Sequence, residues 1–97
     1  MGSLRDDAAG AERAAAVVGA LAHPDRVRLV ALLCEQDATA TELAGRLGRP
    51  RTAVTRHLRV LVTQGLLARS KVGGEPRYRV VEPVLHGLVA CMEDCSR

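Results

Sequence analysis

The chain of 97 residues contains one aromatic residue, Tyr78, and no Phe or Trp. Its core must be assembled from Leu, Val and Ala, side chains that each bury less area than an aromatic ring. A chain of this size also buries only roughly 60–70% of its unfolded surface. A thin aliphatic core of this kind is one that a second chain would complete. The length fits one domain, 1–97. The balance of 47% hydrophobic and 26% charged residues is that of a globular chain.

No run approaches the roughly 18–20 apolar residues of a membrane span. The opening MGSLRDDAAGAERAA lacks the basic-then-apolar order of a signal peptide. The expectation is a cytoplasmic protein with no membrane partner, in which Cys34, Cys91 and Cys95 are free thiols, redox thiols or metal thiolates rather than structural disulfides.

The net charge of +3 conceals a strong segregation. From Arg46 to Arg79 there are nine basic residues and one acid, Glu75, a net +8; the flanks hold the other ten acids. Such a segment faces a polyanion.

Periodicity and punctuation give the elements. Residues 1–12 are expected to be poorly ordered, although an Ala-rich helix reads from residue 5 to about 22, with Ala14, Val17, Val18 and Leu21 as its stripe. His23-Pro24 ends it and opens a second helix to about Cys34, with His23 as its cap. Thr39 and Glu42 fit a capping box before a short third helix, 40–47, which Gly48 stops. A fourth helix, about 50–64, carries Val54, Leu58, Leu61 and Val62 on one side. Two short helices across a glycine turn, 39–64, make a helix-turn-helix. Leu66–Val72 and Arg77–Val81 then read as strands around Gly73-Gly74-Glu75-Pro76, a wing over 66–81. A last helix over 83–95 turns Val84, Leu85, Leu88 and Val89 to its apolar side. The fold class is mainly α with a small β-hairpin, a winged helix-turn-helix.

The fourth helix leaves Arg51, Thr52, Thr55 and Arg56 free to read base edges, Arg by bidentate pairing to guanine. Arg49, Arg59, Arg69, Lys71, Arg77 and Arg79 are candidates for phosphate contacts. The shortage of aromatics argues against single-strand or RNA stacking platforms. No acid pair, nucleophile–base motif or phosphate loop is in place, so neither catalysis nor a small-molecule substrate is expected. His57 is expected to pack against a neighbouring helix, and Tyr78 to anchor the core or the dimer.

Four stretches carry a resemblance: Leu21-Ala-His-Pro-Asp-Arg-Val-Arg-Leu, Thr41-Glu-Leu-Ala-Gly-Arg-Leu-Gly, Ala53-Val-Thr-Arg-His-Leu-Arg-Val-Leu and Gln64-Gly-Leu-Leu, with Gly74-Glu-Pro-Arg-Tyr-Arg-Val in the wing. Over about residues 14–95 the chain resembles the ArsR/SmtB family of bacterial repressors. The resemblance implies a homodimer through the first and last helices, a palindromic double-stranded DNA operator, and derepression by an effector. The positions matching the family's soft-metal motif of the third helix are Thr39, Thr41 and Ala44, which hold no thiol. Those matching its last-helix site are Glu82, Val84 and Cys95, an incomplete set.

The thiols lie elsewhere. Cys91 and Cys95 are i, i+4 and can share one soft ion. In the resembled fold the second helix packs near the last, so Cys34 would complete a three-thiolate site for As(III), Sb(III), Cd(II), Pb(II) or Hg(II), with His86 and Asp94 as weaker ligands. The alternative is a redox or persulfide sensor pairing Cys34 with Cys91 or Cys95. A further alternative is a winged-helix regulator, or an interaction module without DNA contact, whose thiols sense nothing: Cys34 a small core residue, Cys91 and Cys95 incidental.

Overall fold

The computed structural model describes residues 3–71 and 73–96. In chain order these form α1 (Ala8–Ala20), α2 (Pro24–Glu35), β1 (Ala38–Thr39), α3 (Ala40–Leu47), α4 (Arg51–Thr63), β2 (Leu67–Ser70), β3 (Arg77–Val80) and α5 (Val84–Cys95). α1 begins inside the stretch 1–12 expected to lack order, because Asp7 caps it by accepting from the Gly10 N–H at 2.9 Å. Met1 and Gly2 lie outside the described residues, as does Val72, assigned from sequence to the first wing strand.

The helix boundaries follow local chemistry. His23 Nδ1 accepts from the Asp25 N–H at 3.1 Å, and Pro24 supplies the fixed φ of the first turn of α2. The capping box of α3 is complete: Thr39 Oγ1 accepts from the Glu42 N–H at 3.1 Å, and Glu42 Oε1 accepts from the Thr39 N–H at 2.8 Å. Gly48, at φ 68°, ends α3 in the left-handed region that side chains avoid. Arg28 Nη1 donates to the Leu47 carbonyl at 3.3 Å, so α2 also holds the last turn of α3.

β1, β3 and β2 form one antiparallel sheet in that order. The wing is therefore three-stranded, not a bare hairpin; a two-residue β1 is too short for an alternating pattern to mark it. Its inner face carries Ala38, Tyr78, Leu67 and Val80. Leu29, Val30, Leu33, Leu43, Val54, Leu58, Leu61, Leu66, Leu85 and Val89 fill the centre, with α2 packed against α3, α4, α5 and β3. Tyr78 is buried among them.

α1 stands apart, touching the rest of the chain at few residues. Of its apolar stripe Leu21 is buried at the C-cap, whereas Val18 is 62% exposed. α5 differs from the single apolar side expected. Leu85 and Val89 are buried with Met92 half-buried beside them, while Val84 is 55% exposed. At about 100° per residue, the exposed Val84, Cys91 and Cys95 form a second, outward stripe, with half-buried Leu88 at its border packed against the core.

Leu58 is fully buried in the middle of α4. Leu58→Ala lowers the unfolding free energy by roughly 2–5 kcal/mol, read from urea unfolding at fixed protein concentration.

Candidate nucleic-acid interface

α4 separates its residues cleanly. Val54, Leu58 and Leu61 are buried, while Arg51, Thr52, Arg56 and Arg59 are exposed and Thr55 lies half-buried beside them. Arg51, Thr52, Thr55, Arg56 and Arg59 line one shallow recess along the outer face of the helix. A second recess, where α4 meets the wing, is lined by Thr55, Arg59, Thr63, Arg69 and Tyr78 among others. Arg59 of α4 and Arg69 of β2 thus come to one place.

The wing's basic residues divide between its two faces. Cross-strand partners share a face, and Arg69 stands opposite Tyr78, on the inner side toward α4. Arg77 stands opposite Ser70, and Arg79 opposite Ala68, on the outer side. Lys71 follows the end of β2 and is exposed.

Three of the sequence-identified cations have internal partners. Arg49 Nε donates to Asp25 Oδ2 at 3.1 Å across the turn between α3 and α4. Arg51 Nη2 lies 3.5 Å from Glu75 Oε2, and Arg77 Nη1 lies 3.5 Å from Glu42 Oε1. Glu75 in turn accepts from Thr41: the N–H at 3.0 Å and the hydroxyl at 2.8 and 3.0 Å to its two oxygens. The tip of the wing is tied to the first turn of α3 and to the start of α4. Asp25, Thr41 and Glu75 were not among the functional candidates. Their partners lie 24 to 34 residues away in the chain, where no periodicity points; only Glu75 left a trace, as the lone acid in a basic stretch.

These pairings depress the carboxyl pKa values. The Arg49 hydrogen bond holds Asp25 below its ordinary value against the effect of burial. Hydrogen bonds from Thr39 do the same for Glu42, and those from Thr41 for Glu75. His57, on the side of α4 toward α2, shifts down as well, first through burial and then through the nearby His23 and Arg26 charges. Arg26 Nε donates to His57 Nδ1 at 3.2 Å, and the rings of His23 and His57 lie 4.4 Å apart.

The three thiols do not come together within a single chain. Among the described residues, the His/Cys/Asp/Glu donors that gather in a group of three, within 4.8 Å, are His23, Asp25 and His57; Cys34, Cys91 and Cys95 do not. Cys34 is half-buried at the end of α2, whereas Cys91 and Cys95 lie exposed on the outward stripe of α5, turned away from the Leu85–Val89 side that meets α2. His86 and Asp94 are exposed on the same helix. Burial, and then Glu93, raise the Cys34 pKa. The His23–Asp25–His57 group itself fits a cation poorly. Each ring accepts at Nδ1, which places its proton on Nε2, and the Arg26 and Arg49 guanidiniums adjoin the cluster.

A helix-turn-helix with a basic outer helix face and a basic wing beside it is a DNA-binding domain of the winged type. Residues 23–69 match the family described as bacterial regulatory protein, arsR family. Over that stretch the chain is similar to a family of DNA-binding transcriptional regulators. Among solved structures, the transcriptional repressor BigR from Xylella fastidiosa superposes with a TM-score of 0.88 at 24% identity, over 97% of this chain and 96% of that one. HlyU from Vibrio cholerae gives 0.84 at 20% identity, over 90% and 95%. The homodimeric winged helix-turn-helix DNA-binding domain Mb0332 from Mycobacterium bovis, a possible ArsR-family regulator, gives 0.80 at 24%, over 99% and 89%. No curated protein sequence matches significantly. Among the described residues no helix is long and apolar enough to cross a membrane.

A histidine whose folded pKa is depressed binds its proton more readily unfolded. Its contribution is therefore present above the ordinary value near 6.5 and is lost as pH falls toward the folded pKa. The depressed carboxylates act likewise below about pH 4. Stability should fall as pH drops from 7 to 5, and His57→Gln should flatten that part of the profile, measured by urea melts at each pH.

Proposed function

We propose that this protein is a homodimeric transcriptional repressor that holds a palindromic operator through α4 and the wing and lets go when its cysteine thiols are engaged. The observation that carries the DNA half of this reading is the recess on α4, where three arginines and two threonines stand together on the face opposite the core. Arg51, Thr52, Thr55 and Arg56 read bases; Arg59, Arg69, Lys71 and Arg79 contact phosphates; Arg49 and Arg77 reach DNA only with the charge left over from their internal pairs. The dimer half rests on α1 and on the outward stripe of α5, apolar surfaces that the chain's own core leaves uncovered. A second copy joined there accounts for the thin core of a chain with one aromatic residue.

That stripe carries Cys91 and Cys95. In a dimer built on it the two thiols lie at or beside the seam, where a soft ion or metalloid such as As(III), Sb(III), Cd(II), Pb(II) or Hg(II) would bridge them at i, i+4 spacing. Loading the seam would shift the dimer from the spacing that its two α4 helices need. Cys34, half-buried in the same chain, joins only if α2 and α5 rearrange. Burial raises the Cys34 pKa, which makes it a poorer attacking thiolate than an exposed cysteine.

Binding to a palindromic duplex selected from a random library should weaken steeply with salt. Arg56→Ala should cost about 1–3 kcal/mol and relax preference at one base pair, whereas Arg59→Ala should flatten the salt slope by about one. Equal binding by Arg56→Ala and wild type would sink the recognition-helix assignment.

For the effector, As(III) and Cd(II) added to the reduced protein should give thiolate–metal absorption and release DNA. Cys91→Ser with Cys95→Ser should remove both responses. Release by a persulfide donor in the absence of metal would favour the redox sensor instead, and release that survives replacement of all three cysteines would exclude the thiols.

A further inference from the structure

Between Arg46 and Arg79 the chain places one carboxylate among nine basic side chains, and the fold sets that carboxylate against the first residue of the recognition helix. The two ends of the contact are held differently. Glu75 is fixed: both of its oxygens accept from Thr41, at 2.8 to 3.0 Å, and its side chain is only 28% exposed. Arg51 is loosely held: one nitrogen reaches Glu75 at 3.5 Å, and its side chain is 60% exposed. A guanidinium in a single, solvent-screened ion pair is readily taken by a better partner.

What counts as a better partner depends on the DNA. A backbone phosphate is present at every sequence. The N7 and O6 atoms of guanine offer a two-point match only where the sequence supplies them.

We propose that Glu75 is a specificity-determining residue for DNA: anchored on Thr41, it withholds Arg51 from duplexes that offer only phosphate and yields it to those that offer a bidentate base contact. The idea rests on α4 being the DNA-reading helix. Glu75 acts through Arg51 and makes no base contact of its own. Its effect is to lower affinity for generic DNA more than for the operator, widening the ratio that decides occupancy among many competing sites.

The test compares wild type, Glu75→Gln, Arg51→Ala and the double variant on two probes: a random-sequence duplex and the palindromic duplex that wild type selects from a library. Circular dichroism checks that each is folded. Glu75→Gln should bind the random duplex more tightly, with a plot of log affinity against log salt steeper by about one. Its advantage over wild type should then shrink roughly threefold to fourfold between about 50 and 200 mM salt. Its gain on the selected duplex should be smaller, so the specificity ratio falls. In the Arg51→Ala background the replacement should no longer change the slope.

An unchanged slope in Glu75→Gln, weaker binding to the random duplex, or a steepening that persists without Arg51 would each overturn the proposal. Weaker binding with a lowered melting temperature would mark Glu75 as a brace for the wing. Wild type that binds neither probe in a salt-dependent way would bring down the DNA-reading assignment of α4, and Glu75's role with it. A wild type that binds as expected, beside an unaltered Glu75→Gln, removes the Glu75 role alone.

Discussion

Asp25 is the one charged residue that the fold buries among those described, at 8% exposure, and the placement of the recognition helix depends on how that charge is met. A buried carboxylate without a partner is strongly unfavourable. Here Arg49 supplies the partner from the turn between α3 and α4. The pair therefore ties the first turn of α2 to the link that sets the angle of α4. Around it, Arg26 connects α2 to His57 on α4, and Arg28 holds the last carbonyl of α3. α2 is thus the frame on which the DNA-facing elements are mounted, fixed by polar contacts at its N-terminal half and by Leu29, Val30 and Leu33 along its length.

The helices were legible because their signals are local. The Thr39–Glu42 box, Pro24 after His23, and the glycines at 48 and 65 each act within a few residues of the boundary they set, and the core residues of α4 fall at helical spacing. The same applies to the basic face of α4, which follows from which positions are apolar. β1 escaped notice because its hydrogen bonds are made to Tyr78 and Arg77, about 40 residues on, and two residues carry no period of their own.

The site was legible as a set of residues but not as a set of pairings. Sequence spacing placed Arg69 and Arg77 in one wing, but only the register showed that they lie on opposite faces. Spacing likewise marked Cys91 and Cys95 as neighbours. Adding Cys34 required knowing which side of α5 meets α2, and the buried Leu85 and Val89 give that side to aliphatic residues. Val84 looked like core by composition, yet it shares the thiols' face, while Leu88 at the border of that face does pack against the core. An apolar residue reports that something covers it, without reporting whether its own chain does so.

The two-faced wing has a geometric consequence. A ribbon with cations on one side only can lie flat along a single phosphate strand. This one carries Arg69 inward and Arg79 outward, with the apolar Leu67 and Tyr78 closing its inner face against the core. Its two sides are unequal: Arg77 and Arg79 share the outer face, while Arg69 alone is on the inner one. A duplex lying along the outer face would meet Arg77 and Arg79, whereas Arg69 belongs to the recess beside α4.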